Sequence, residues 1–265
     1  MVEPTISITE SPFEFYTRYY QAIAASPANS TYCKHLFGCD MGQHGFAEIS
    51  HLDHLGKIFE LGPGIQALDL GCGDGRIAEY LSDSTGVKIT GIDWIPQAIQ
   101  QARARTEDKQ DRLTFQAMDM DDLKFSPASF DVIYAIDTLY FTQLAPALYR
   151  ILPLLRHGGR LAAFFSQGAP MGMPLDQFDR STIQPDRTEL ADAFNKLELI
   201  YMTWDYSHAD YEHAQRKQFI AESLQAEFAA EGNLFLFENH LAEAIGVQTA
   251  YKAGAHARYL YLITL

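Results

Sequence analysis

Nine residues, Leu68-Asp-Leu-Gly-Cys-Gly-Asp-Gly-Arg76, place three glycines and two carboxylates directly behind a short apolar run. Glycine lacks a Cβ, so Gly71, Gly73 and Gly75 can take backbone conformations closed to other residues and lie flush against a bound nucleotide. The spacing is Gly-x-Gly-x-Gly, not the Gly-x-Gly-x-x-Gly that sets a pyrophosphate on a helix N-terminus. Asp69 and Asp74 beside the loop repel a pyrophosphate and suit a cationic ligand without phosphate. A further carboxylate, Asp93, stands twenty residues past Gly73. It can accept both hydroxyls of a ribose, as the acid at that distance does in dinucleotide folds, so it does not choose between nucleoside cofactors.

These residues need strands that end together. Ala67 to Leu70 reads as a buried strand and Arg76 to Leu81 as the start of a helix, the layout in which ligands bind at the switch point of an open α/β sheet. Lys88 to Asp93, Leu113 to Asp119, Phe130 to Asp137 and Arg160 to Ser166 read as further strands. The run from Phe130 is almost continuously apolar, as in a strand covered on both faces. A helix from Gln143 to Leu155 is expected, stopped by Gly158-Gly159. Alternation over residues 67 to 166 predicts a parallel, doubly wound sheet. Beyond it, Asp186 to Leu197 reads as a helix, Leu197 to Tyr206 as a strand and Ala257 to Leu265 as a closing strand.

The glycine segment resembles the first motif of the class I S-adenosylmethionine-dependent methyltransferases, an acidic residue followed by Gly-x-Gly-x-Gly, at every position from Asp69 to Gly75. The resemblance covers residues 67 to 166 well and the flanks weakly. It implies a Rossmann-like, mostly parallel sheet of seven strands, the last two an antiparallel edge pair. It also implies S-adenosylmethionine as cofactor, S-adenosylhomocysteine as product, and Asp69, Gly71, Cys72, Gly73, Gly75, Asp93, Trp94, Asp119, Met120 and Ile136 as cofactor contacts. Trp94 is expected on the adenine face; plugging the sheet edge is the other reading. Asp119 is expected to accept the adenine amino group, which suits an acceptor-only carboxylate; alternatively Asp119 to Asp122 cap a short turn. No Asn/Asp-Pro-Pro-Tyr run follows the fourth strand, which argues against nucleobase or amide acceptors.

The flanks carry the substrate candidates. Domain bounds are expected at 1–60 for an N-terminal helical cap, 61–206 for the α/β core, 207–255 for a helical insertion and 256–265 for the last strand. The cap is rich in aromatic residues, and the resemblance makes Tyr16, Tyr19, Tyr20 and Tyr32 candidates for a substrate wall, with Phe165 from the fifth strand; core packing is the alternative for each. His51 and His54 stand three apart on an expected helix from Phe46 to Phe59, a spacing that brings two rings to one side, yet no third or fourth ligand accompanies them and no metal is expected. His44 sits in the glycine-flanked Gly42-Gln-His-Gly45 and is a candidate general base, with a structural hydrogen bond as the other reading. Tyr140, just past the fourth strand, is the second catalytic candidate. In the insertion, Tyr211, Ala214, Ile220, Leu224 and Phe228 recur at near-helical spacing, Gly232-Asn233 breaks the run, and Phe237, Leu241 and Ile245 carry a second helix to Gly246. Its apolar stripe must be buried, either as a lid over the site or in a homodimer.

Composition bounds the function. A net charge of −14 without a basic stripe disfavours nucleic acid. No apolar run approaches a membrane span, and Met1 to Thr5 do not begin a signal peptide. Three cysteines without framework spacing suit a reduced cytoplasm. The expected function is methyl transfer to a nitrogen, oxygen or carbon of a small molecule, achieved mainly by alignment and exclusion of water. An NAD-dependent reductase is argued against by the glycine spacing and the acidic loop. Binding of S-adenosylmethionine for regulation or for a rearrangement stays open.

Overall fold

A computed structural model describes residues 10–170 and 172–265; the segment 1–5, examined for a leader, lies outside them. Seven strands form one sheet: β1 (Gln66–Leu70), β2 (Lys88–Asp93), β3 (Leu113–Ala117), β4 (Phe130–Ile136), β5 (Leu155–Gly168), β6 (Tyr201–Asp205) and β7 (His256–Thr264). Their order is β3-β2-β1-β4-β5-β7-β6, parallel from β3 to β5, with β7 antiparallel to both β5 and β6. This is the doubly wound, mostly parallel sheet expected from the sequence, including its antiparallel edge pair.

The side-chain period of two sorts the strand residues into two cores. Ala67, Val132, Ala162, Phe164, Leu260 and Leu262 face one layer, while Leu68, Ile133, Ala163, Phe165, Tyr261 and Ile263 face the other. The second layer is closed by α6 (Leu144–Ile151) and α7 (Glu189–Lys196). The first is closed by α4 (Arg76–Thr85) and α5 (Pro96–Arg105), by the cap helices α1 (Pro12–Ala24), α2 (Pro27–Phe37) and α3 (Ile49–Ile58), and by part of the insertion, α8 (Ser207–Ser223), α9 (Gln225–Ala230) and α10 (Leu234–Lys252). Burial of apolar area on both faces is the driving force that fixes the order of these layers.

Several element boundaries differ from the expectation. The helix expected over 143–155 ends at Ile151 and passes into a 3₁₀ turn at Leu152–Leu154, where Pro153 cannot donate to a continuing helix. Gly158-Gly159 therefore do not stop a helix; they lie inside β5, where Gly158 at φ 75° accompanies a register shift opposite Phe130 and Val132. The helix expected from Asp186 starts at Glu189, because Thr188 caps it by accepting the Ala191 N–H at 3.1 Å. The strand expected from Leu197 is confined to Tyr201–Asp205, the turn through Glu198 at φ 55° separating it from α7. The helix expected from Phe46 begins at Ile49. In the insertion the first run breaks at Leu224 as well as at Gly232, and α10 passes through Gly246 to Lys252.

No helix among the described residues is long and apolar enough to cross a membrane.

Candidate active site

β1 delivers Asp69 to the sheet's carboxyl edge, and the chain then turns through Gly71, Gly73 and Gly75, at φ 75°, 56° and 78°, before α4 begins. All three need the left-handed conformation that glycine adopts freely. Close approach adds a second reason, and it differs at each position. A Cβ on Gly73 would land on the Tyr20 hydroxyl, one on Gly71 would reach Thr138 Cβ at 2.8 Å, and one on Gly75 would reach the Phe115 ring at 2.6 Å. Gly75 thus lets α4 pack on β3 and does not line the cavity.

The loop is tied to β2 by the Asp93 carboxylate, whose Oδ2 accepts the Gly73 N–H at 2.9 Å and whose Oδ1 accepts that of Ile95 at 2.8 Å. A carboxylate has about four acceptor positions, so about two remain for a ligand's hydroxyls. Burial pushes the Asp93 carboxyl up to about 6, against the pull of those two N–H donors. Burial pushes Asp69 further, to about 8. Two buried carboxyls held above their ordinary range face one cavity, an arrangement relieved by a cation.

That cavity, of about 320 Å³, runs from the glycine loop to the insertion. At one end it is lined by Asp69, Gly71, Cys72, Gly73, Asp93, Trp94, Asp119, Met120 and Ile136, which brings together nine of the ten expected cofactor residues. Trp94 faces the cavity edge-on to Phe13, with ring centroids 5.9 Å apart. Asp119 caps the turn, its Oδ1 accepting the Asp121 N–H at 2.8 Å, and the residue also lines the cavity. The donor set fits S-adenosylmethionine: acid for the cationic end, acid for the ribose, an acceptor for the adenine amine, and apolar plates around it.

The other end is built by chain segments far apart in sequence. Tyr16 and Tyr20 from α1, His44 and Phe46 from the loop after α2, Tyr140 after β4, and Asp210, Glu243 and Val247 from the insertion all line it. Three expected wall residues do not. Tyr19 and Tyr32 are fully buried in the cap, Tyr32 stacked on His240 with centroids 4.1 Å apart, and Phe165 lies under Tyr140 in the opposite core layer. Packing between α1, α2 and the insertion claims the two tyrosine rings, the core reading weighed for them, and the strand period turns Phe165 to the other face of the sheet.

His44 lies with Nδ1 3.5 Å from Glu243 Oε1, and burial lowers its pKa. His51 accepts the Glu48 N–H on Nδ1 at 3.3 Å, and His54 Nδ1 bonds the Tyr206 hydroxyl, so both are used structurally. Among the described residues no group of three or more His, Cys, Asp or Glu is placed to hold a metal. The Tyr140 hydroxyl accepts the Ser166 N–H at 2.7 Å and donates to Asp137 Oδ1 at 3.1 Å.

Sequence reasoning missed the charge cluster behind this wall. Asp137, at φ 55° at the end of β4, pairs with Arg258 of β7, whose Nη1 also reaches Asp210 of α8 at 3.5 Å. Arg258 is 0% exposed. Asp137 stood in a recognised strand end and was the one signal available; Asp210, Glu243 and Arg258 sit in stretches whose patterns speak only of helix and strand.

Residues 67–159 match a family model described as a methyltransferase domain. The chain is 33% identical over 129 residues to the 27-O-demethylrifamycin SV methyltransferase of Amycolatopsis mediterranei, covering 47% of each protein. The matches to curated relatives of this kind span 24–54% of those proteins' length. Among solved structures it resembles phosphoethanolamine N-methyltransferase 2 of Haemonchus contortus, bound to phosphomonomethylethanolamine and S-adenosylhomocysteine, at a TM-score of 0.76 and 17% identity, covering 96% of this chain and 60% of that one. It also resembles the [4+2]-cyclase SpnF, at a TM-score of 0.62 and 20% identity over 80% of this chain and 79% of that one. Its glycine loop, its strand-end acids and its sheet order are those of the class I S-adenosylmethionine-dependent methyltransferase fold, and residues 67–159 carry the matched methyltransferase domain.

Proposed function

We propose that this protein transfers the methyl group of S-adenosylmethionine to a nitrogen, oxygen or carbon nucleophile of a small molecule that carries no phosphate. One observation carries the reading: a single cavity joins the acid-lined glycine loop to an end walled by the N-terminal cap and the insertion. The sulfonium methyl of S-adenosylmethionine is already activated for displacement. The chain's own residues then have three tasks: hold, align and exclude water. Asp93 and the bare loop hold the nucleoside, and Asp69 faces the cationic end. Tyr16 and Tyr20 close the site from α1, while Glu243 and Val247 close it from α10.

His44 is the proposed base, taking the proton of a hydroxyl or acidic carbon acceptor; its lowered pKa keeps it neutral near pH 7, in the form that accepts a proton. Burial keeps the Tyr140 phenol protonated, so Tyr140 acts as a fixed hydrogen-bonding group and not as a base. The exclusion of phosphate rests on charge. Arg76 is the one Arg or Lys among the described residues lining the cavity, and Asp74 and Asp40 already engage it. In this respect the cavity departs from what the name of the Haemonchus relative would suggest.

The insertion supplies cavity residues, which favours a wall or lid. A homodimer would use its outer side, where Phe219 is exposed. The free thiols of Cys33, Cys39 and Cys72 suit a reducing compartment such as the cytoplasm.

Incubation with methyl-labelled S-adenosylmethionine and a fractionated extract of the source, followed by mass spectrometry, tests the reading. Label on a small molecule without phosphate is the expected result. Tight cofactor binding with no label transferred in any fraction would instead favour a non-methylating reaction, such as the one named for the cyclase of similar fold.

A further inference from the structure

The loop after α2 holds His44 mostly buried, its Nε2 fully enclosed by other elements. Nδ1 faces Glu243 Oε1 of α10 at 3.5 Å, ion-pair range and the outer edge of hydrogen bonding. Nε2 is buried with no hydrogen-bond partner among the described residues, on a side chain that lines the cavity. An orphaned buried ring nitrogen costs free energy unless something supplies its partner.

Glu243 is itself seated. Its other oxygen pairs with the Lys217 ammonium of α8, a side chain 1% exposed, and Lys217 also donates to the His44 carbonyl at 2.8 Å. The same ammonium lies 4.3 Å from the centre of the Phe46 ring. One lysine thus holds both the carboxylate and the backbone of the residue that the carboxylate faces. The ring is also clamped by aromatic edges: Tyr19, Phe15 and Tyr16 of α1 stand at 5.1, 5.6 and 6.1 Å between centroids, each near perpendicular. His240 of α10 lies 6.4 Å away, its Nε2 bonded to Asn29.

We propose that Glu243, seated by Lys217, is the positioning residue that sets the tautomer of His44. Glu243 keeps the proton on Nδ1 and turns the Nε2 lone pair to the acceptor. The inference rests on the reading of His44 as base. In the step it serves, the bond from acceptor to methyl forms as the sulfonium–methyl bond breaks, and the acceptor's proton moves to Nε2. The imidazolium is then balanced by Glu243 until the proton passes to solvent. Burial opposes ionisation of Glu243, but His44 and Lys217 hold its carboxyl below the usual range, so the counter-charge is present when needed. The insertion is therefore part of the catalytic machinery and more than a cover.

Long-range ¹⁵N–¹H spectra of the labelled full-length protein test this without any acceptor. His44 is identified by its loss in His44→Gln. Its groups to titrate against are Glu243 and His240 of α10, Lys217 of α8, and Tyr16 and Tyr19 of α1. In the wild type the neutral ring should carry its proton on Nδ1. Glu243→Leu should populate both tautomers and lower the titration midpoint by about one pH unit, since the nearby anion is gone. Lys217→Met should move the midpoint the other way and keep the Nδ1–H tautomer. Retained S-adenosylhomocysteine binding by calorimetry shows that each variant is folded, and the double variant Glu243→Leu/Lys217→Met serves if Glu243→Leu alone is not; it too should lose the single tautomer. A wild-type proton on Nε2, or a single Nδ1–H tautomer persisting in a folded protein without Glu243, overturns the assignment. Failure of the methyl-transfer reading would appear separately, as absence of label on any acceptor.

Discussion

The Asp93 carboxylate accepts the backbone N–H of Gly73 at 2.9 Å, so the acid that ends β2 also holds the loop that follows β1. Asp93→Ala removes both the loop anchor and the proposed ribose acceptor. The expected loss in S-adenosylmethionine affinity is ten-fold or more, about 1.4 kcal/mol or above, measured by calorimetry. Asp93→Ala with unchanged affinity would take this residue out of the site.

Gly73 and Tyr20 share one space. Gly73→Ala puts a methyl group onto the Tyr20 hydroxyl and forces a side chain into a φ of 56°, the latter alone costing about 1 kcal/mol. Cofactor binding should fall steeply in Gly73→Ala and recover in part in Gly73→Ala/Tyr20→Ala, where the collision but not the backbone strain is relieved. A double variant no better than the single one would show that the collision contributes nothing.

Protonation of the two buried acids gives the site a direction in pH. Burial sets Asp93 at about 6 and Asp69 at about 8, both above the unfolded carboxylate. Their contribution to stability is complete at low pH, below about 4, and is lost as pH rises through 6 and then 8. A cationic ligand prefers the ionised acids, so its affinity runs the opposite way. S-adenosylmethionine should bind more weakly at about pH 5.5 than at about pH 8.5, and Asp69→Asn should flatten the upper part of the curve. A dissociation constant flat across that range in the wild type contradicts the assignment of these carboxylates to the cationic ligand.

Arg258 neutralises Asp210, which is buried, and Asp137, which is partly buried at the cavity wall. Arg258→Leu leaves the buried Asp210 carboxylate and the partly buried Asp137 without their cation and should cost about 3 kcal/mol in urea unfolding. Raising the pH should worsen the defect, because burial holds the Asp210 carboxyl above its ordinary range and more of it ionises as pH rises. A loss under about 1 kcal/mol would mean that the cluster is solvated in a way its burial does not suggest.

The cofactor end was legible in the chain because its parts are local. A strand, a glycine turn and a helix start are neighbours in sequence, and Asp93 and Asp119 lie at strand ends that a parallel sheet must bring to one edge. The same locality misled at Gly75, which shares the motif but serves the contact between α4 and Phe115. The acceptor end was legible only in pieces. His44 stood out through its flanking glycines, yet Tyr19 and Tyr32, equally aromatic and in the same cap as Tyr16 and Tyr20, turned inward. Helical spacing tells which residues share a face and not which neighbour that face will meet.

What the sequence determined by itself is the doubly wound sheet and the acid-lined glycine loop, because hydrophobic period and glycine conformation act within a few residues of each other. Only the tertiary structure decided that Glu243 and Lys217 enclose His44, and that Arg258 lies between Asp137 and Asp210. Those partners are separated by 26 to about 200 positions along the chain and meet through the packing of the insertion on the cap and of β7 between β5 and β6. A charge carries no mark of its partner in the local pattern; the partner is chosen by which surfaces must be buried together.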